Sequence, residues 1–197
     1  AADASAFSIK SGGVTRRAAR MVIMDVDHPD IFKFIWAKAK EEEKARALKA
    51  AGYDDSVDGE IYATVAHQNC NMSVRVPDAF MHSEIWLTKN RTSNEVQHHK
   101  ATDMFHAIAE ATWQCGDPGI QFDDTINAWH TCPNSGKQRG SNPCSEFLWL
   151  DESACNLSSM NLLKFLNEDG SFDIEGYKHT VDVMITAMEI MVSRCEY

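Results

Sequence analysis

The chain has 197 residues, of which 44% are hydrophobic and 24% charged, the mixture of a folded globular protein and not of a disordered, collagen-like or coiled-coil one. Its 19 Lys and Arg stand against 29 Asp and Glu, a formal net charge of −10, which argues against nucleic-acid binding because that role calls for a basic surface. No apolar run approaches the roughly 20 residues that span a bilayer, and residues 1–20 hold no apolar stretch of signal-peptide type, so the expected setting is the cytoplasm, away from membranes.

Residues 1–20 are small and polar, and Ser11-Gly12-Gly13-Val14-Thr15-Arg16-Arg17 reads as a loop bearing two cations. Met21–Met24 is a short apolar run of the kind that forms a buried strand. Asp27 or His28 then caps a helix with Pro29 and Asp30 in its first turn and Ile31, Phe34 and Ile35 as its apolar stripe. The far half of that helix, Lys38 to Lys49, is charged and solvated, and Gly52 stops it. Residues 54–60 form an acidic loop. A strand is expected near Ser73–Val76, a short helix after Pro77-Asp78, and a polar loop over 88–100. Phe105, Ile108 and Thr112 give helical spacing to Thr102–Gln114. Gly116–Gly119 is a turn, followed by a strand at Ile120–Phe122. Residues 130–146 show no periodicity, Phe147–Leu150 reads as a strand, and Asp169-Gly170 as a turn. The last segment places Val181, Met184, Ile185, Met188, Met191, Val192 and Cys195 on one helical face, and core packing is the expected use of that face. Alternation of strands and helices predicts an α/β architecture. The chain opens on Ala1 and stops at Tyr197 just after a helical pattern, and is read as a segment of a longer protein.

Six cysteines, at 70, 115, 132, 144, 155 and 195, are read as thiols, because no spacing is C-x-x-C and no secretory signal opens the chain. Burial as small hydrophobes is the default for Cys70, Cys115 and Cys195. His98-His99 reads as surface, and His130 lacks a spaced partner that would make it a metal ligand, so no metal is expected.

Asn142-Pro143-Cys144-Ser145-Glu146 is the stretch that points to chemistry. Pro143 pushes Asn142 out of the helical region, which predicts an extended segment with Asn142, Cys144 and Glu146 on one side. A carboxylate two positions from a thiol works against thiolate nucleophilicity. A neutral thiol beside a base suits a different chemistry, in which the thiol exchanges a hydrogen atom as a thiyl radical while the carboxylate takes a hydroxyl proton. A buried cysteine in a turn is the plain alternative.

The surrounding residues extend this reading. Gly116–Asn127, Trp129-His130-Thr131-Cys132-Pro133-Asn134 and Ser141–Glu146 together resemble the adenosylcobalamin-dependent (class II) ribonucleotide reductases. Lys10–Gly13, Thr15–Ala19, Asp25–Ile31, Asn71, Ser73–Val76, Asp151–Leu157 and Gly170–Asp173 match as well, so the resemblance covers nearly the whole chain; only the region near 80–100 looks shortened and rewritten. Val14 stands where family members often have Lys, and Met72 where Asn is more usual.

The resemblance implies that residues 1–197 are part of a ten-stranded α/β barrel, its first half plus an internal finger loop bearing the radical cysteine. It implies reduction of ribonucleotides, more specifically diphosphates, to deoxyribonucleotides for DNA synthesis. Cys144 would take the ribose 3′ hydrogen, Glu146 would serve as base on the 3′ hydroxyl, and Ser141 and Asn142 would contact substrate. Cys155 would be one of two reducing cysteines, its partner lying outside the chain. Ser11, Gly12, Gly13, Arg16 and Arg17 would couple a dNTP or ATP effector to substrate choice. Adenosylcobalamin, a thioredoxin- or glutaredoxin-type reductant and a homodimer complete the expectation, with the segment inactive alone. The alternatives are the metal-radical (class I) branch and a non-catalytic nucleotide-binding module.

Overall fold

The computed structural model describes residues 5–6, 8–11, 16–56 and 59–195. They fall into two compact units, Ala1–Asp151 and Glu152–Tyr197. No helix among the described residues is long and apolar enough to cross a membrane.

The first unit opens with a short antiparallel pair, Lys10–Ser11 (β1) and Arg16–Arg17 (β2). Arg20–Asp25 (β3) leads to helices Ile31–Ile35 (α1), Ala37–Ala50 (α2) and Glu60–Thr64 (α3), then to the strand Cys70–Val76 (β4). Next come Asp78–Met81 (α4), Ile85–Lys89 (β5), Val96–Lys100 (β6), Ala101–Cys115 (α5) and Gly119–Phe122 (β7). Strands β3, β4 and β7 form a parallel sheet with β4 in the centre. The single helix expected across 28–50 is two, parted at Trp36, whose N–H bonds back to the Phe32 carbonyl.

Sheet and helices meet through one side of β4. Cys70, Met72, Val74 and Val76 alternate along the strand and enter one cluster with Val26, Ile31, Phe34, Ile35, Phe80, Met104, Ile108 and Ala111. Helices α1, α2 and α5 touch one another, so both crossovers lie on the same face of the sheet. That is the consequence of right-handed connections to strands added in one direction. Ser73 and Arg75, of opposite parity, are buried on the other face, as expected of a central parallel strand covered on both sides. Ile108 is wholly buried among these residues, and Ile108→Ala is expected to lower unfolding free energy by about 2–5 kcal/mol, measured by the urea midpoint of the full-length protein.

Three expectations change. Residues 88–100 are not a loop: β5 and β6 pair as an antiparallel hairpin. Its turn is shaped by Asn90, whose Oδ1 accepts from the N–H groups of Thr92 and Ser93. Thr88 is 1% exposed, His99 bonds it at 3.1 Å, and His99 packs edge-on to Phe32 at 5.1 Å. Thr88 and His99 thus share the packing there with Trp86, and these polar members weaken the apolar periodicity of the strands; His99 is half-buried, not a surface residue. In α5 the buried face is Ala101, Met104, Ile108 and Ala111, and Phe105 points outward. Of the cysteines, Cys70 is buried and Cys115 half-buried, but Cys195 is exposed, because it sits one residue beyond the last helix.

Glu41 ties α2 to the segment before β4 by accepting from the Ala66 N–H at 2.7 Å. That hydrogen bond, with Lys44 nearby, holds its carboxyl below the ordinary carboxylate range. The tie is therefore present above that range and is lost as the pH falls through the lowered value.

The second unit holds a 3-10 turn at Leu162–Phe165 and a long helix, Ile174–Arg194. Asp173 caps the helix by accepting from the Gly176 N–H at 2.9 Å. Phe165, Phe172 and Tyr177 cluster with centroids 5.4–6.0 Å apart. The expected core face is only partly covered within this unit. Val181, Met184 and Met188 are half-buried, whereas Ile185, Met191 and Val192 are exposed. A single helix over a short turn leaves no second layer to close on them.

Candidate active-site loop on the polar face of the sheet

The register sets Asp25, Arg75 and Gln121 side by side across β3, β4 and β7, on the face opposite the apolar core. Arg75 and Gln121 are each 3% exposed. Asp123 opens the helix Asp123–Ala128 (α6) directly after β7. Its Oδ1 lies 2.7 Å from Arg75 Nε and its Oδ2 2.5 Å from Lys137 Nζ. Arg75 Nη2 donates to the Gln138 carbonyl at 2.7 Å, and Arg139 pairs with Asp25 at 3.1 Å. Asn127 accepts from the Gln138 N–H at 2.9 Å and donates to its carbonyl at 3.3 Å. Residues 137–139 are thereby laid across the carboxyl ends of three parallel strands, where α/β proteins usually build their sites. A cavity of about 200 Å³ opens there, lined by Asp25, Asp27, Arg75, Asp123, Lys137 and Arg139 among others. Its three cations and three carboxylates balance, so it has no preference for an anion.

The chain then enters a hairpin of Gly140–Ser141 (β8) and Leu148–Trp149 (β9). A Cβ on Gly140 would meet Trp149 Nε1 at 3.0 Å, so only glycine fits without a shift. Gln138 Nε2 donates to the Leu148 carbonyl at 3.0 Å and secures the second strand.

The loop between these strands carries the predicted trio, and its geometry corrects the expectation. The segment 142–146 is not extended. The Ser145 N–H donates to the Asn142 carbonyl at 3.0 Å, which makes Asn142–Ser145 a β-turn, with Ser145 at φ +62°. Proline suits the second position of such a turn as well as it suits an extended chain, so its presence alone does not separate the two. Asn142, Cys144 and Glu146 therefore do not share one side of a strand. Cys144 and Glu146 are exposed at the corner, and Asn142 is half-buried. Asn142 closes the loop twice: its N–H donates to the Phe147 carbonyl and its Oδ1 accepts from the Phe147 N–H, both at 3.2 Å.

Two serines bracket the turn. Ser141, 7% exposed, donates its hydroxyl to the Asn142 carbonyl at 2.9 Å. Gln121 Nε2 donates to Ser141 Oγ and to Ser145 Oγ, each at 2.9 Å. The anchors Arg75, Gln121, Asn127 and Gln138 are not among the site residues expected from sequence. The signal that could have found them is a buried polar parity within otherwise apolar strands.

Cys155 is exposed, in the second unit. Ser11, Arg16 and Arg17 belong to the β1–β2 pair, while Gly12 and Gly13 lie outside the described residues. His130 Nδ1 accepts from the Cys132 N–H at 3.3 Å. Among the described residues no group of three or more His, Cys, Asp or Glu is placed to hold a metal ion.

The sequence that builds this sheet and its cysteine-bearing hairpin has relatives among known proteins. The family model for the ribonucleotide reductase barrel domain matches residues 1–197, and the chain belongs to that family. A vitamin B12-dependent ribonucleotide reductase of Streptomyces coelicolor is 53% identical over 100% of the chain and 21% of its own length. One of Rhodopirellula baltica is 47% identical over 99% of the chain and 19% of its own length. A vitamin B12-dependent ribonucleoside-diphosphate reductase of Mycobacterium tuberculosis is 31% identical over 98% of the chain and 25% of its own length. The chain thus spans about a fifth to a quarter of these relatives.

Proposed function

We propose that the protein containing this chain is a class II ribonucleotide reductase, converting ribonucleoside diphosphates to deoxyribonucleotides. The observation that carries the reading is the hairpin on which Cys144 and Glu146 are both exposed, inside a sequence of the reductase family. The names of the relatives favour the B12-dependent branch over the metal-radical one. Both crossovers on one face of a parallel sheet suit a segment of a barrel wall, with the hairpin as the finger loop within it, and we assign the fold on that basis to the first half of a ten-stranded barrel.

In this reading Cys144 exchanges a hydrogen atom with the ribose 3′ carbon, and Glu146 accepts the 3′ hydroxyl proton. Asn142 orients the ribose through its Nδ2, since its Oδ1 is engaged by Phe147. Ser141 contacts substrate beside it. Cys155 and a second cysteine outside the chain supply two electrons and close to a disulfide, which a thioredoxin- or glutaredoxin-type dithiol reopens by exchange. Ser11, Gly12, Gly13, Arg16 and Arg17 relay a bound dNTP or ATP to substrate choice in a homodimer.

Adenosylcobalamin would supply the radical. A cavity of about 200 Å³ lined by charged side chains is too small and too polar for a corrinoid, since even drug-sized ligands occupy roughly 300–1,000 Å³. That cavity among the described residues does not fit the group, and in this reading the residues of the hairpin serve the substrate end of the reaction.

The test is turnover of a ribonucleoside diphosphate by the full-length protein with adenosylcobalamin and a dithiol protein. Cobalamin-dependent deoxyribonucleotide is the expected product, and its absence would overturn the reading. Cys155→Ser is expected to leave hydrogen abstraction at Cys144 intact but to abolish reduction, because the disulfide that delivers the two electrons cannot form; sustained product formation with the same dithiol would exclude the role.

A further inference from the structure

We propose that Gln121 is a positioning residue, whose buried amide fixes the turn bearing Cys144 and so sets where the thiol meets the substrate. The proposal rests on the reading of Cys144 as the hydrogen-carrying thiol. Gln121 sits on the polar face of β7, 3% exposed. Its one amino group spends both hydrogens on the turn, at 2.9 Å to Ser141 Oγ and 2.9 Å to Ser145 Oγ. These serines stand immediately before and at the end of Asn142-Pro143-Cys144-Ser145. Residues 137–139 have several anchors, namely Arg75, Asp25, Asp123 and Asn127. From the sheet to the turn, among the described residues, the side-chain hydrogen bonds are the two from Gln121.

The polarity of this contact is dictated. Ser141 donates its hydrogen to the Asn142 carbonyl, so its oxygen must accept from residue 121, and only a donor serves there. A carboxylate of the same shape would face a lone pair. Ser145 holds φ +62°, a conformation uncommon for residues other than glycine, and the bond from Gln121 helps to retain it. Gln121 Oε1 is buried with no hydrogen-bond partner. An amide whose acceptor is left unpaired is poorly chosen for stability alone, and well chosen for placing two hydroxyls.

The experiment uses the full-length enzyme, with Gln121→Leu, Gln121→Glu, Ser145→Ala and the Gln121→Leu/Ser145→Ala double variant. Each single change is expected to lower kcat by about 10- to 100-fold, the scale on which a displacement near 1 Å acts, with KM changed by a smaller factor because the change acts mainly on the placement of the thiol. The isotope effect on kcat with 3′-deuterated substrate should rise, since hydrogen transfer becomes the slow step. The double variant should be no slower than Gln121→Leu, because Ser145→Ala breaks a contact that Gln121→Leu has already removed. Were Gln121→Leu to misfold, Ser145→Ala gives the same isotope readout. A kcat near wild type, or a loss that tracks folded fraction with an unaltered isotope effect, would overturn the proposal. Cys144→Ser separates the two readings. If it is inactive while Gln121→Leu is normal, the positioning role alone falls; if it turns over, the assignment of Cys144 falls first.

Discussion

Cys144→Ser in the full-length protein is expected to abolish ribonucleotide reduction while nucleotide binding persists. A hydroxyl fills nearly the same space as a thiol, but its O–H bond is too strong to break and remake as a radical carrier. The turn does not depend on the sulfur. It is closed by the Ser145 N–H on the Asn142 carbonyl, by Asn142 on Phe147 and by Gln121 on two serines, while Cys144 itself is exposed. Stability should therefore change by no more than about 0.5 kcal/mol, as for other exposed substitutions. Product formation and nucleotide affinity measured on the same preparation decide the matter: binding without product is the expected result, and substantial turnover would remove Cys144 from the chemistry.

Arg75→Met is expected to be the most destabilising single change on the polar face. The guanidinium is 3% exposed, faces Asp123 at 2.7 Å and donates to the Gln138 carbonyl at 2.7 Å. Removing it leaves the Gln138 carbonyl with only the longer bond from Asn127, and Asp123 with Lys137 and a 3.4 Å contact from Asn127. Breaking a buried pair costs about 3–5 kcal/mol, and the retained Lys137 contact sets the expectation at the lower end, about 3 kcal/mol. The double variant Arg75→Met/Asp123→Asn should recover part of that loss, because the uncompensated charge is gone. Urea unfolding of the full-length single and double variants measures both. A midpoint unchanged in Arg75→Met would show that the charge does not hold the loop to the sheet.

Much of the sheet is legible in residue order. Met21–Met24, Ser73–Val76 and Ile120–Phe122 read as strands and lie within or along β3, β4 and β7, since buried parallel strands are apolar on the face that meets the helices. The β5–β6 hairpin is illegible because, beside Trp86, its packing is completed by Thr88 and His99, which carry no apolar signature. Cys195 falls outside the last helix for a simpler reason: helical periodicity continues past the point where the hydrogen-bonded helix stops.

The sequence by itself determined the chemical inventory: a thiol, a carboxylate and an amide within five residues, in the order shared with the reductase family. It also determined that strands and helices alternate, because hydrophobic spacing is a local property. Where those groups stand was decided by tertiary structure. Proline at 143 permits both an extended segment and a turn, and the turn is selected by partners distant in sequence, Gln121 above all. The row Asp25, Arg75, Gln121 exists only through the register of three strands, since parity within one strand says which residues share a face but not which strand lies beside it.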